Sequence, residues 1–201
     1  MEKCRISPGI ASDSNATMLS VTHHTPWRHI IIDDFIEPSD FIYAQKELFS
    51  SELSFSIDSD DKYQVQYSLL RYLPLARLFY SFEFKVLLSR ITQTDLSLNE
   101  SNMVQLRLAD NSTPRFPRHI DSSDKGRSLV VIYYMSSNWK TEYGGRLLLH
   151  KNKYSLKREA ICIEPKKNRL VAFFSDKENW HSIEKVNGWS RYSVMSEWMC
   201  E

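Results

Sequence analysis

The sequence has few cysteines, and none of them forms a recognisable motif. Its three cysteines, Cys4, Cys162 and Cys200, are widely spaced and odd in number, which argues against a disulfide framework and fits a reducing compartment. None has a partner at CxxC spacing, so a cysteine-ligated zinc site is not expected. Cys162 lies in the apolar run at 160–163, where we expect a buried and inert thiol.

Long apolar stretches and an excess of one charge are also missing. No apolar run approaches the roughly 18 residues that span a bilayer, and the N-terminus lacks the apolar core of a signal peptide. Lys and Arg number 26 against 25 Asp and Glu, so the charge gives no overall footprint for nucleic acid or anionic membrane. We therefore expect a cytoplasmic protein with neither nucleic acid nor membrane as a partner.

The 201 residues are most simply one domain behind a short leader. Residues 1–25 are polar and rich in Ser and Thr, and we expect a flexible leader there. We assign a single domain to 26–201. Three consecutive isoleucines in 26–35 predict a strand at its start.

Two helices are predicted to precede the C-terminal half. The first opens at Pro38, with Ser39 or Asp40 as its N-cap. The second is a long helix at 69–91, because its apolar side chains recur at helical spacing and suit packing on a sheet. Pro74 would start or kink this helix.

From residue 102 onward, short apolar runs alternate with polar turn sequences at strand-sized intervals. This pattern predicts an all-β sandwich or barrel of about eight strands at about 102–199. With the two helices ahead of it, the fold class is α+β: a jelly-roll core with N-terminal helices packed on one sheet.

Three metal-ligand types occur in the order His119, Asp121 and His181. Side chains at i and i+2 of an extended segment point the same way, so His119 and Asp121 can reach one metal ion. Two imidazoles and one carboxylate on one face of an octahedron form the facial triad of non-haem Fe(II) oxygenases. An HxD tripeptide alone occurs often by chance, and only tertiary folding can bring His181 to it.

Arg191 and Ser193 lie in the last predicted strand, where alternation places them on one face, plausibly the barrel interior. A buried arginine is costly unless it meets an anion. Guanidinium binds carboxylate bidentately, so Arg191 would suit the far end of a dicarboxylate that chelates the metal through its other end.

The C-terminal half, about 103–199, resembles the Fe(II)/2-oxoglutarate-dependent dioxygenases, in particular the branch of the prolyl 4-hydroxylases and oxygen-sensing prolyl hydroxylases. Residues 26–50 are similar to the strand and helix that precede the core in that superfamily. The motifs that carry the resemblance are Arg118-His119-Ile120-Asp121, Gly126-Arg127, Val131-Ile132-Tyr133-Tyr134-Met135, Asn138-Trp139, Gly144-Gly145-Arg146-Leu147, Ile163-Glu164-Pro165, Asn168-Arg169-Leu170, Phe173-Phe174-Ser175-Asp176, His181 and Arg191-Tyr192.

This resemblance implies a double-stranded β-helix, with His119, Asp121 and His181 as iron ligands and catalytic centre. It implies that Arg191 binds the distal carboxylate of 2-oxoglutarate, with the Tyr134 hydroxyl as a second donor. Fe(II) and 2-oxoglutarate would be required, with ascorbate a further candidate cofactor. The expected reaction hydroxylates a C–H bond with dioxygen and releases succinate and CO2. Halogenation is not expected, since related halogenases replace the carboxylate with a small residue.

Two positions depart from the prolyl hydroxylase pattern. A tryptophan is expected six residues after the arginine, but Glu197 stands there and Trp198 follows. That shift turns the tryptophan to the other face of the strand unless a bulge intervenes. A tyrosine expected before HxD is replaced by the segment Arg107-Leu108-Ala109. Prolyl specificity is therefore not carried over.

The substrate is expected to be amino-acid-like: a prolyl or other residue in a protein or peptide, or a small molecule. Arg115 and Arg118 could form a cationic lip beside the metal. The candidate substrate contacts are Arg115, Arg118, Arg127, Asn138, Trp139 and Arg146. The alternative for each of them is an exposed side chain without a role in binding. His150 is expected to be a strand-end residue. The competing functions are a cupin-like metal-binding jelly-roll without oxidase chemistry, which leaves Arg191 without a purpose, and an inactive scaffold.

Overall fold

A computed structural model describes residues 3–11, 21–51, 53–57, 66–70, 73–97, 104–121 and 127–201. No helix in these ranges is long and apolar enough to cross a membrane. The helices are α1 (Pro8–Ala11), α2 (Pro38–Ser50), α3 (Pro74–Phe79) and α4 (Phe82–Thr92). The strands are β1 (Thr22–His23), β2 (His29–Ile32), β3 (Ser56–Ile57), β4 (Gln66–Leu69), β5 (Leu96–Ser97), β6 (Gln105–Ala109), β7 (Phe116–His119), β8 (Ser128–Tyr134), β9 (Leu147–Leu149), β10 (Ile161–Ile163), β11 (Leu170–Phe174), β12 (His181–Ile183) and β13 (Arg191–Cys200).

The described strands form two antiparallel sheets. The larger sheet has the order β1-β2-β11-β8-β13-β6-β4-β3, with β5 also paired to β13, and the smaller sheet has the order β10-β9-β12-β7. The eight strands β6 to β13 contribute four strands to each sheet. This arrangement confirms the expected double-stranded β-helix core with helices at its N-terminal side.

Both faces of the larger sheet are covered, which explains why all seven residues of β8 are buried. Tyr133 points outward and packs edge-on against Phe35 and near Phe79. Tyr134 points inward and joins the apolar layer between the two sheets. Neighbouring side chains thus serve different cores, and each fully buried apolar side chain contributes about 1.5–3 kcal/mol.

The leader residues that the structure describes pack against the rest of the chain. Cys4 is only 2% exposed and belongs to the helix-side core. Ile6 forms a β-bridge with Ile36, and β1 pairs with β2. The apolar side chains of this segment are scattered and show no periodicity, so the sequence does not indicate that they pack on the core. The remainder of 1–25 lies outside the described residues.

The prediction of one long helix at 69–91 is wrong in its extent. Leu69 ends β4, Pro74 starts α3, and the chain turns again at Tyr80 before α4. Ser81 causes the second start, because its hydroxyl caps α4 by accepting a hydrogen bond from the Phe84 amide. Apolar spacing alone did not reveal these interruptions.

Two smaller expectations are corrected as well. α2 does begin at Pro38, but its N-cap is Glu37 and no side chain caps it; Asp40 instead pairs with Arg5 at 3.0 Å. Cys162 is exposed, because it lies on β10 at the edge of the smaller sheet and points away from the other sheet.

Gly144 has a positive φ of 63°, and an added Cβ would lie 2.3 Å from the carbonyl oxygen of Lys185. Gly188 has the same φ of 63° but open space around it, so it is a matched control. We expect Gly188→Ala to cost about 1 kcal/mol from backbone strain alone, and Gly144→Ala to cost about 2 kcal/mol more because of the clash. Chemical denaturation measures both; equal losses would contradict this view of Gly144.

Candidate metal site and its neighbouring pocket

The backbone register of the smaller sheet brings the three candidate ligands together. His119 ends β7 and His181 begins β12, and the two residues lie directly opposite each other in the antiparallel pair. Asp121 follows His119 by two residues. His181 thus shares one end of the sheet with His119 and Asp121, which precede it by 62 and 60 positions.

The ligand atoms of these residues converge within 4.8 Å of one another. Nε2 of His119 lies 3.5 Å from one carboxylate oxygen of Asp121, and Nε2 of His181 lies 3.4 Å from the other. The two imidazole centroids are 4.3 Å apart. Among the described residues, this is the one group of three or more His, Cys, Asp or Glu side chains with that geometry.

Both imidazoles are oriented by the same backbone device. Nδ1 of His119 lies 2.8 Å from the Pro117 carbonyl oxygen, and Nδ1 of His181 lies 3.0 Å from the Asn179 carbonyl oxygen. A carbonyl can only accept, so Nδ1 must carry the proton and donate in both rings. In a neutral imidazole, this leaves the Nε2 lone pair free to bind a metal.

The electrostatics favour the deprotonated ligand set. Burial lowers the pKa of His181, which keeps its ring neutral. Burial alone would raise the pKa of Asp121, but the neighbouring imidazoles of His119 and His181 and the positive charge of Arg107 lower it overall. Two nitrogen lone pairs then face a carboxylate at about hydrogen-bond distance. These groups repel one another unless a cation lies between them, and a divalent metal supplies that cation.

A second set of side chains lies on the inter-sheet face of the larger sheet. Arg191 begins β13, two residues before Ser193, and Ser193 lies directly opposite Tyr134 of β8. The guanidinium carbon of Arg191 is 5.1 Å from the centroid of the Tyr134 ring. The three predicted cosubstrate residues therefore share one face of two paired strands.

Arg191 and Tyr134 both carry buried polar atoms without a partner. Arg191 is 6% exposed and Tyr134 is fully buried. Among the described residues, neither Arg191 Nε nor the Tyr134 hydroxyl has a hydrogen-bond partner. A buried guanidinium N–H without an acceptor is costly, so this pair of donors fits an anion that enters from outside the chain. Gly145 keeps room there, since a Cβ on it would lie 3.5 Å from Cδ of Arg191.

The pocket beside Arg191, which we call the Arg191 pocket, spans about 570 Å³ when the solvent at its mouth is included. Its walls include the apolar side chains of Phe116, Ile132, Ile183 and Met195. The Phe116 ring is 5.3 Å from that of His119, so the pocket adjoins the candidate metal site.

Arg107 is a lining residue that the sequence did not single out for a role. It lies opposite Ser193 on β6 and faces the Arg191 pocket. Its charge also lowers the pKa of Asp121. Its position in the sequence could have indicated a role in the site, because Arg107 stands in the segment where the family resemblance places a tyrosine.

The candidate substrate contacts do not line the Arg191 pocket. Arg127 forms a two-point ion pair with Asp176 at 2.9 and 3.0 Å and covers the Phe174 ring. Arg146 pairs with Glu184 at 2.7 Å. Asn138 and Trp139 line a separate surface pocket beside Asp33 and Asp34.

The predicted cationic lip is oriented differently from the expectation. Arg118 lies next to His119 in a strand, so its side chain points to the opposite face of the smaller sheet. There its guanidinium donates a hydrogen bond to the Lys153 carbonyl at 2.5 Å. Arg115 lines a groove on the same outer face. Neither residue faces the Arg191 pocket.

The register of β13 decides the position of the shifted tryptophan. β13 pairs with β8 without interruption from Ser193 to Met199, so no bulge compensates for the shift. Trp198 accordingly packs on Phe84 of α4, with ring centroids 5.6 Å apart. Glu197 takes the inter-sheet face instead, and its carboxylate accepts a hydrogen bond from Ser128.

His150 follows β9 directly, as expected of a strand-end residue, and it is not part of the three-residue cluster. It is 2% exposed, and its Nε2 lies 2.8 Å from the Ser182 hydroxyl oxygen. Burial, followed by the neighbouring Arg118, His181 and Lys157, lowers the pKa of His150 from 6.5 to about 4.

Comparison with known proteins adds a family match. A profile of the 2OG-Fe(II) oxygenase superfamily matches residues 105–199. The chain is 30% identical over 94 residues to the hypoxia-inducible factor prolyl hydroxylase of Caenorhabditis elegans, covering 46% of this chain and 13% of that protein. It is 31% identical over 80 residues to human Egl nine homolog 1, covering 39% of this chain and 18% of that protein. The chain thus spans less than a fifth of either relative.

Solved structures share the fold. A prolyl hydroxylase of Trichoplax adhaerens, in complex with a peptide fragment of the oxygen degradation domain of hypoxia inducible factor, aligns with a TM-score of 0.66 and 22% identity. That alignment covers 85% of this chain and 82% of that one. A prolyl-4-hydroxylase of Pseudomonas putida aligns with a TM-score of 0.67 and 18% identity, covering 96% and 98% of the two chains.

Adding Mn(II) should raise the melting temperature of the metal-stripped protein by roughly 5–10 °C, because a ligand at about a hundred times its Kd stabilises by about 2.7 kcal/mol. We expect His119→Ala, Asp121→Ala and His181→Ala each to abolish this increase. The matched control is His29→Gln, because Nδ1 of His29 also bonds a carbonyl two residues earlier, at 2.9 Å, without a carboxylate beside it. If His29→Gln also abolished the increase, the site would be misassigned.

The lowered pKa of His150 predicts a pH-dependent stability. The unfolded chain binds the proton more readily than the folded one, so stability falls as the pH drops from 6.5 towards about 4. We expect the wild type to lose about 3 kcal/mol more than His150→Gln over this window. Urea unfolding with a chelator present, above pH 6.5 and near pH 4, measures the difference; parallel losses in the two proteins would contradict it.

Proposed function

We propose that this protein is an Fe(II)- and 2-oxoglutarate-dependent dioxygenase, because a profile of the 2OG-Fe(II) oxygenase superfamily matches residues 105–199, which form its β-helix core. It hydroxylates an unactivated C–H bond of an amino-acid-like substrate and releases succinate and CO2. The observation that carries the proposal is a convergent His-Asp-His cluster beside a buried Arg191 that has no hydrogen-bond partner at Nε among the described residues.

His119, Asp121 and His181 are the proposed iron ligands. Both histidines offer Nε2 in a fixed orientation because their Nδ1–H groups are held by carbonyls. Three ligands leave coordination positions for a chelating cosubstrate and dioxygen, which a closed four-ligand zinc site would not. Bound there, Fe(II) supplies the redox chemistry by which dioxygen oxidises 2-oxoglutarate and the substrate.

Arg191, Tyr134 and Ser193 form the proposed site for the distal carboxylate of 2-oxoglutarate. The guanidinium provides charge and the Tyr134 hydroxyl a further donor, and both have buried atoms that such a carboxylate would satisfy. Ser193 lies opposite Tyr134 on the same face. Burial strengthens these interactions, because water does not compete for the donors.

The apolar walls of the Arg191 pocket exclude water from the reactants. Phe116, Ile132 and Ile183 line the Arg191 pocket and restrict water. Excluding water strengthens the electrostatic contacts inside and limits side reactions of activated oxygen. The chain therefore binds, orients and shields the reactants, while the redox chemistry belongs to the metal.

We favour a residue within a polypeptide as the substrate. One structural neighbour is a prolyl hydroxylase bound to a peptide fragment, and the relative from Caenorhabditis elegans is a prolyl hydroxylase by name. The inter-sheet face differs from the prolyl pattern, however, because Arg107 and Glu197 replace the expected aromatic residues. The proposal therefore specifies a hydroxylated residue of a polypeptide and leaves prolyl specificity unassigned.

The cupin-like alternative is not favoured. A metal-binding jelly-roll without a carboxylate cosubstrate would not explain why Arg191 is buried with its Nε lacking a hydrogen-bond partner among the described residues. The matching profile is also one of oxygenases.

Anaerobic titration of the Fe(II) protein with 2-oxoglutarate should produce a weak visible charge-transfer band. We expect Arg191→Gln to weaken 2-oxoglutarate binding about 100-fold, because it removes one partner of a buried charge pair. Tyr134→Phe removes a single hydrogen bond to the carboxylate and should weaken binding about tenfold.

Two controls isolate the distal carboxylate. 2-Oxopentanoate lacks that group, so its affinity should be the same in the wild type and in Arg191→Gln. Arg127→Gln changes an arginine that pairs with Asp176 and should leave 2-oxoglutarate affinity unchanged. No band in the wild type would refute the proposed function, whereas unchanged affinity in Arg191→Gln would refute only the role of Arg191.

A further inference from the structure

A groove on the outer face of the smaller sheet carries a concentration of positive charge. One carboxylate lines it, Glu184, and this group already pairs with Arg146 at 2.7 Å. Five basic side chains line the same groove, which we call the basic groove: Arg115, Arg118, Lys153, Lys157 and Lys185. Apart from Lys157, which also contacts Glu184 at 3.1 Å, they have no acidic partner among the described residues. The groove thus presents a local excess of positive charge in a chain that is nearly neutral overall.

Two of the five cations, Arg118 and Lys153, are held in place by contacts within the fold. Arg118 reaches across the sheet and donates to the carbonyl oxygen of Lys153 at 2.5 Å, which joins β7 to the connection between β9 and β10. The Lys153 ammonium lies 5.7 Å from the Trp180 ring centroid. Such preorganisation reduces the entropy lost when a ligand binds.

His150 lies beneath the groove and adds a second sign of a missing ligand. It is 2% exposed and lines the groove, and its Nδ1 has no hydrogen-bond partner among the described residues. Burial and the charges of Arg118 and Lys157 are among the causes that lower its pKa to about 4. The ring therefore stays neutral near pH 7, and the charge of the groove comes from Arg and Lys alone.

The basic groove meets the Arg191 pocket. Phe116, Ile183 and Glu184 line both spaces, so a chain lying in the groove can reach the pocket. The groove has a volume of about 490 Å³. This volume lies within the range for ligand sites and suits a few residues of extended chain better than a single inorganic anion.

The connection that borders the groove also exposes two large apolar side chains. Tyr154 is 84% exposed and Leu156 is 50% exposed, and both lie between Lys153 and Lys157. Apolar side chains interleaved with cations match a polypeptide that interleaves acidic and apolar residues.

We propose that the basic groove docks an acidic, extended segment of the polypeptide substrate and directs the residue beside that segment towards the Arg191 pocket. Calling this polypeptide the substrate rests on the proposed function, but its binding to the groove does not require iron or turnover. The compact patch, the near-zero net charge and the exposed Tyr154 and Leu156 favour a short acidic peptide over nucleic acid or a membrane surface.

The test is fluorescence anisotropy of a labelled synthetic peptide in which Glu and Asp alternate with Leu, added to metal-free full-length protein. We expect Lys153→Glu combined with Lys185→Glu to weaken binding at least about tenfold, and added salt to weaken wild-type binding severalfold. The control is Lys46→Glu combined with Lys177→Glu, two exposed lysines outside the groove, which should change binding less than about twofold.

Three outcomes would overturn the proposal. The peptide could bind the groove double variant as tightly as the wild type. A control peptide in which Gln and Asn replace every Glu and Asp could bind as tightly as the acidic one. An oligonucleotide of equal charge or anionic phospholipid vesicles could bind the groove more tightly than the peptide. If groove binding fails while the anaerobic 2-oxoglutarate band persists, the docking proposal falls and the proposed function stands.

Discussion

The candidate site depends above all on two short hydrogen bonds from imidazole to backbone. Nδ1–H of His119 donates to the Pro117 carbonyl and Nδ1–H of His181 donates to the Asn179 carbonyl. These bonds fix both rings and turn both Nε2 lone pairs towards Asp121. Three electron-rich groups in such proximity repel one another without a cation. The pairing of β7 with β12 holds them there, so the fold itself maintains an arrangement that a metal ion relieves.

The same reasoning links the second half of the site to the larger sheet. Strand alternation puts Arg191, Ser193 and Glu197 on the inter-sheet face of β13, while Trp198 turns to the helices. A one-residue shift in sequence therefore replaces an aromatic wall by a carboxylate. Alternation also divides β7, since His119 faces inward and Arg118 faces the basic groove. One short strand thus contributes to two surfaces.

The core strands and the shared face of His119 and Asp121 could be predicted from sequence, because HxD spacing and strand alternation are local rules. The convergence of His181 with them depends on the pairing of β7 with β12, and only the family resemblance indicated it. The orientation of Arg118 also follows from strand alternation, which turns it away from His119, so the expected lip beside the metal disregards that rule. The packing of Cys4, the break between α3 and α4, and the exposure of Cys162 depend on tertiary neighbours and edge position. The importance of Arg107 depends on the register with Ser193, which no local pattern encodes.

The central claim is tested most directly by a crystal structure of the full chain with Mn(II) and N-oxalylglycine, an inert analogue of 2-oxoglutarate. The account predicts a metal ion bound by Nε2 of His119, by Asp121 and by Nε2 of His181, with the distal carboxylate of the analogue on Arg191 and Tyr134. A metal bound through Nδ1 of either histidine, or a distal carboxylate held by other residues, would contradict it.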